Sequence, residues 1–163
     1  MTTNDGLLNI YLNDHLAGST GGLALARRLA GNHRGTPAGP ELAELARDVE
    51  EDRDALAAIM ASVGARTNPL KPVLALVAER VGRLKLNGAL LHRSPLSSVL
   101  ELEMMRLGVE GKSSAWRSLR EVAKNDPRLD AAQLDELISR AKDQAQRLER
   151  LRTRAAAEAL QRS

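Results

Sequence analysis

The sequence predicts an all-α protein, a single helical-bundle domain over residues 1–163. Hydrophobic residues make up 43% of the chain, and it contains no Phe, one Tyr and one Trp. The aromatic side chains that favour strands are therefore scarce, while Leu, Ala and Met favour helices. The length fits one domain, and the apolar fraction is large enough for one continuous core.

Apolar residues recur at helical spacing in four long segments and in one short segment between the second and the third. The predicted long helices cover residues 7–30, 41–63, 95–124 and 130 to the C-terminus, and the short helix covers residues 69–86. Turn-forming residues separate all five segments. No strand is needed to account for any part of the pattern.

The first two predicted helices form a hairpin. The first has an apolar stripe that begins at Leu7. The connection over residues 31–40 is rich in turn formers, and Pro40 lies where the first turn of a helix accepts proline. The second helix has a regular three–four alternation of apolar residues that only Asp52 interrupts, and Gly64 ends it.

The remaining helices also have sequence signals at their ends. Asn68 is suited to cap the short helix, which ends at Asn87-Gly88. Ser94-Pro95 combines a cap with proline at the first helical position and so starts the third long helix. Asp126-Pro127 closes that helix, and the last one opens near Asp130.

The order and the lengths of these helices indicate a topology. The long helices have about 24, 23, 29 and 30 residues, with the short helix between the second and the third. Two tightly linked hairpins joined by one long crossover are typical of ferritin-like bundles. The predicted fold is therefore a ferritin-like four-helix bundle with a short crossover helix between its second and third long helices.

Polar residues interrupt the apolar stripes near the middle of the helices. Asp52 interrupts the stripe of the second helix, Gln144 interrupts that of the last, and His15 lies on the stripe of the first. Residues equally far from a hairpin turn lie at the same height, because both helices rise about 1.5 Å per residue. We therefore expect a mid-bundle polar layer. Its further predicted members are Ser19, Glu51, Arg53, Asp54 and Glu103.

Ferritin-like carboxylate proteins hold two metal ions at this level, with a Glu-x-x-His pair on each of two helices. Here Glu51-Asp-Arg-Asp54 and Asp143-Gln-Ala-Gln146 have that spacing without a histidine. Two interpretations of this polar layer stay open, and a third is that some of its side chains face water. The layer is either a polar network that fixes helix register, or a metal site for Fe or Mn that uses His15, Asp52 and Glu110. The first predicts no cofactor and no catalytic residue.

Glycines inside the first helix indicate a face with a special role. Gly18, Gly21 and Gly22 each cost about 1 kcal/mol relative to Ala in a helix. Together with Ser19 and Thr20 they form a face of small residues. Close packing of another helix and a pocket for a ligand both explain this face, and close packing is the simpler expectation.

Composition excludes several classes of site and partner. The chain has no Cys, which excludes disulfides and cysteine-ligated metals. The 24 basic and 21 acidic residues leave a net charge of +3, and only the run from Arg147 to Arg154 approaches a basic patch, so nucleic-acid binding is not expected. No apolar run approaches the roughly 20 residues that span a bilayer. We expect a cytoplasmic protein that does not enter membranes.

Three parts of the chain resemble a known family. They are Tyr11-Leu-Asn-Asp-His-Leu-Ala-Gly18, Gly82-Arg-Leu-Lys-Leu-Asn-Gly88, and Glu101-Leu-Glu103 followed by Gly108-Val-Glu-Gly-Lys112 and Trp116. Together they are similar to a family of uncharacterised actinobacterial proteins with a ferritin-like helix layout. The resemblance implies this fold and an ancestral metal site. The missing histidines argue against oxidase, ferroxidase or iron-storage activity.

These observations predict a ferritin-like bundle without a working di-metal centre. Such a protein would act by self-association, most simply as a homodimer, or by binding another protein, and would not be an enzyme. The alternative is a metal-binding protein or oxidoreductase that uses the mid-bundle carboxylates with His15. A second alternative is a weak nucleic-acid-associated protein that uses Arg147, Arg150, Arg152 and Arg154. The sequence does not identify a small-molecule ligand.

Overall fold

The computed structural model describes residues 3–67 and 95–161, which contain four helices and no strand. The helices are α1 (Thr3–Asn32), α2 (Gly39–Ser62), α3 (Pro95–Val122) and α4 (Ala131–Leu160). The all-α class is confirmed for these residues. The short helix predicted over residues 69–86, with the signals predicted at Asn68, Asn87-Gly88 and Ser94, lies outside them.

The helix ends follow the local signals closely. Pro40 lies in the first turn of α2, as its sequence position predicts. Asp130 caps α4, since its carboxylate accepts the backbone N–H groups of Ala132 at 2.8 Å and Gln133 at 3.2 Å. Gly39 is required by close packing in the α1–α2 turn, because a Cβ there would lie 2.6 Å from the carbonyl oxygen of His33.

The four helices form two antiparallel hairpins. The α1–α2 and α3–α4 pairs make the most extensive contacts, and α1 packs against α3 to join the hairpins. Arg28 forms an ion pair with Glu101 at 3.3 Å near one end of α1, and Asp5 pairs with Arg128 at 3.1 Å near the other. The helices α1 and α3 are therefore antiparallel, so α2 and α3 run in the same direction.

The two ends of the bundle can be distinguished by the contacts of Arg128. This residue lies in the α3–α4 turn and donates to the carbonyl oxygen of Val63 at 3.0 Å. The end of α2 therefore lies beside the α3–α4 turn. Since α3 runs toward that same turn, α3 begins at the opposite end, beside the α1–α2 turn.

The core contains side chains from all four helices and extends along the bundle. Its largest fully buried side chains are Trp116, Leu12, Leu29, Leu42, Leu45, Met60, Leu102, Leu119, Leu134, Leu148, Gln144 and Val109. Burial of this mainly aliphatic surface is the main favourable contribution to folding. None of the helices within residues 3–67 and 95–161 is long and apolar enough to cross a membrane.

Candidate functional site

Two polar side chains meet in the middle of the core. Asp52 of α2 and Gln144 of α4 are each only 1% exposed. The side-chain amide of Gln144 donates to Asp52 Oδ2 at 2.8 Å. The interrupted apolar stripes predicted that both residues face inward at one level, and the structure places them in direct contact.

Lys112 of α3 completes this arrangement. Its ammonium forms an ion pair with Asp52 Oδ2 and donates to Gln144 Oε1 at 2.5 Å. We call Lys112, Asp52 and Gln144 the central network. Lys112 had no predicted role, although its position in the sequence contains a signal. Lys112 follows Val109 by three positions and precedes Trp116 by four, so it occupies an inward position of the α3 stripe.

Arg140 of α4 lies on the other side of the same carboxylate. Its guanidinium approaches Asp52 Oδ1 at 3.2 Å, as an ion pair without the alignment of a hydrogen bond. It also donates to Glu51 Oε2 at 2.9 Å and to the carbonyl oxygen of Asp48 at 3.3 Å. Each oxygen of the buried Asp52 carboxylate therefore faces a cation.

Burial lowers the pKa of Lys112 below its ordinary value, while the ion pair and hydrogen bond with Asp52 oppose this shift. The cause is desolvation, which disfavours the charged form of an amine inside a protein. The nearby positive charge of Arg140 lowers the pKa further. The ammonium form of Lys112 thus depends on the carboxylate of Asp52.

A cavity of about 250 Å³ borders the central network. Its wall includes four helical glycines, two from α1 and two from α3: Gly18, Gly22, Gly108 and Gly111. A Cβ added at any of these glycines would meet no atom of residues 3–67 and 95–161 within 4 Å. The close helix packing expected at Gly18 and Gly22 is therefore not seen in the described part of the chain, where these residues border open space.

His15 lies in the cavity wall as a half-buried side chain. Its ring makes an edge-on contact with Tyr11, with the centroids 4.5 Å apart. Burial lowers the pKa of His15 from its ordinary value of 6.5, and the charge of Asp14 opposes the shift. Neutral imidazole is therefore favoured at neutral pH.

The three predicted metal ligands are not brought together. His15 and Asp52 border the same cavity, but Glu110 is half-exposed and pairs with Arg106 at 4.0 Å. Within residues 3–67 and 95–161, no three His, Asp or Glu side chains are grouped closely enough to hold a metal ion. Glu110 is two positions before Lys112, which turns it by about 200° around the helix, away from the network.

The other predicted members of the polar layer are distributed between cavity and surface. Ser19 borders the cavity and its hydroxyl donates to the carbonyl oxygen of Leu16 at 2.7 Å. Arg53 also borders the cavity and lies 3.6 Å from the carboxylate of the exposed Asp54. Asp54 follows Asp52 by two positions, which again turns it by about 200° away from the network.

Two predicted glutamates form ion pairs at the surface. Glu51 is exposed and binds Arg140, so it supports the central network from outside. Glu103 pairs with Arg152 at 3.5 Å, with 44% of its side chain exposed. It precedes the buried Met105 by two positions and therefore points outward. The distance of these glutamates from the helix turns predicted their height along the bundle, but it did not predict the direction of their side chains.

Three of the four arginines named near the C-terminus bind carboxylates of this chain, while the fourth, Arg154, is exposed. Arg147 is the most buried of them, with its side chain 12% exposed. Its guanidinium contacts four acidic residues, Glu41, Glu44, Asp48 and Asp143. Arg150 pairs with Glu41, and Arg152 pairs with Glu149. These contacts stabilise the packing of α4 on α2 and α3 and do not favour a nucleic-acid surface.

Comparisons with known proteins return no match. No family model matches the chain, and neither the curated proteins nor the solved structures include a match. The function is therefore inferred from the geometry and chemistry of the site itself.

Replacement of Lys112 by Met should destabilise the fold, because it leaves the buried Asp52 carboxylate without its closest cation. We expect Lys112→Met to lower the free energy of unfolding by about 3 kcal/mol, measured by urea denaturation. Lys124→Met is the matched control. Its ammonium pairs with Glu121 at the exposed surface, so its loss should cost less than about 1 kcal/mol.

Removal of the whole central network should be better tolerated than removal of Lys112 alone. The triple variant combines Lys112→Met with Asp52→Leu and Gln144→Leu. It should regain most of the stability that Lys112→Met loses, since no charge then lies unpaired in the core. Equal stability of Lys112→Met and the unchanged protein would contradict this description of the network.

Proposed function

We propose that the chain is a ferritin-like bundle without a working di-metal centre, which functions by association, most simply with a second copy of itself. The connectivity supports the fold. The helix α2 ends beside the α3–α4 turn, where Arg128 contacts Val63, while α3 begins at the other end of the bundle. The end of α2 and the start of α3 therefore lie at opposite ends of the bundle, which is the arrangement that a crossover connection joins in ferritin-like proteins.

The central network is the observation that argues against a di-metal centre. The ammonium of Lys112 pairs with Asp52 at the mid-bundle level where ferritin-like carboxylate proteins hold metal. Arg140 supplies a second cation to the same carboxylate. A divalent metal ion would have to enter a site where two positive charges already face one buried carboxylate, and Coulomb repulsion opposes this.

Metal content tests this part of the proposal. Protein purified without a polyhistidine tag and incubated with Fe(II) and Mn(II) should retain far less than one ion per chain, measured by inductively coupled plasma mass spectrometry. Retention of one ion per chain would contradict the proposal if Asp52→Asn abolished it and Asp54→Asn did not. Asp54 is the matched control because it is an exposed carboxylate on the same helix.

An exposed apolar patch supports self-association. Leu7 and Ile10 of α1 are 63% and 59% exposed, and Val122 of α3 is 40% exposed. The three side chains border an open groove of about 700 Å³ between α1 and α3, near the α3–α4 turn. Protruding side chains and a groove on one face allow two copies to contact each other symmetrically, with each patch facing the other.

Sedimentation velocity over a range of concentrations tests self-association. The unchanged protein should form a dimer, and Ile10→Glu should weaken that dimer by at least about tenfold, because it places a charge in an apolar contact. Leu160→Glu is the control, since Leu160 is 72% exposed at the opposite end of the bundle. A monomer at all concentrations, or a dimer unaffected by Ile10→Glu, would refute the proposed patch.

A further inference from the structure

Larger side chains in its wall could fill the cavity between α1 and α3. Four helical glycines border it, each about 1 kcal/mol less favourable in a helix than alanine. No atom of the described residues lies within 4 Å of a Cβ built at any of them, so alanine would fit there without a clash against this part of the chain. Within the described residues, the structural effect of these glycines is to leave the cavity open.

The size and the apolar part of the wall suit one aromatic or branched aliphatic group. Val49, Leu56, Met105, Val109 and Trp116 all border the cavity. Its volume is about 250 Å³, and an apolar cavity of about 150 Å³ is large enough for benzene. A single ring that carries one small polar group therefore fits.

The polar part of the wall offers hydrogen-bond donors in excess of acceptors. The ammonium of Lys112 has three N–H groups, of which Asp52 and Gln144 take two. The guanidinium of Arg53 lies 3.6 Å from Asp54, which is too long for a hydrogen bond.

The charged side chains in the cavity wall are also mostly positive. Lys112 and Arg53 are two cations, and Asp52 is the one carboxylate among the described wall residues. Both oxygens of that carboxylate already face cations. We propose that this cavity is a binding site for a small organic anion, namely an aromatic or branched aliphatic carboxylate whose apolar group lies against the glycine wall.

A set of three probes of equal size tests the charge preference. The probes are 4-fluorobenzoate, the neutral 4-fluorobenzyl alcohol and the cationic 4-fluorobenzylamine, each followed by fluorine NMR with the full chain. Fluorescence provides a second readout, because Trp116 is the single Trp of the sequence and borders the cavity. We expect saturable binding of 4-fluorobenzoate, about tenfold tighter than that of the amine. Absence of saturable binding, or equal binding of the amine, would overturn the proposal.

Variants locate the bound probe. Gly22→Leu should fill the cavity and abolish binding of 4-fluorobenzoate, and Gly22→Ala should weaken it while keeping the helix intact. Gly31→Leu is the control, since Gly31 lies in the same helix with open surroundings and does not border the cavity. Unchanged binding in both Gly22 variants would place the probe elsewhere and refute the site.

A second pair of variants tests the cation in the wall. Arg53→Gln should weaken binding of 4-fluorobenzoate several-fold and leave binding of the neutral alcohol unchanged. Arg47→Gln on the same helix is the control, because Arg47 is exposed and does not border the cavity. An equal effect of Arg53→Gln on the acid and the alcohol would exclude a role for this charge in recognition.

Discussion

A carboxylate buried in a helical core needs compensating charge, because its transfer from water costs several kcal/mol even after the protein relaxes. Asp52 is such a group, and its partners come from two other helices. Lys112 belongs to α3, while Gln144 and Arg140 belong to α4. The carboxylate thus joins the two hairpins at one point. A shift of either hairpin by one helical turn, about 5.4 Å, would leave the charges unpaired. The network therefore favours a single register for the bundle.

The same lysine connects the network with the cavity. Asp52 and Gln144 hold the ammonium of Lys112 in a defined position, and the side chain of Lys112 borders the open space beside the glycines of α1 and α3. Rigid placement of a donor lowers the side-chain entropy that the protein loses when a ligand binds. Stability and recognition would then depend on one residue, so changes at Lys112 would affect both. The cavity glycines allow the two properties to be separated, because a Cβ added at any of them would meet no described atom within 4 Å and so would leave the network charges in place.

The sequence predicted the helices, most of their ends, and the inward direction of Asp52 and Gln144, since all of these follow from local periodicity. It did not identify Lys112 as a partner, because lysine on a helix is usually solvated and its stripe position was the sole signal. Glu110 and Asp54 lie near the predicted height along the bundle, but their side chains point away from the central network instead of toward it. The cavity depends on how α1 packs against α3, and no local pattern encodes that distance. The crossover predicted over residues 69–86 stays a prediction.

The protonation and burial of Lys112 are the most direct test of this account. NMR spectra selective for lysine side-chain NH₃⁺ groups should show a slowly exchanging signal from Lys112 at neutral pH, while the exposed Lys124 and Lys142 exchange too fast to be seen. Asp52→Asn should remove this signal or greatly broaden it, because the pKa of Lys112 would fall without the carboxylate. A Lys112 signal that behaves like those of the exposed lysines, or that is unchanged by Asp52→Asn, would contradict a central ion pair.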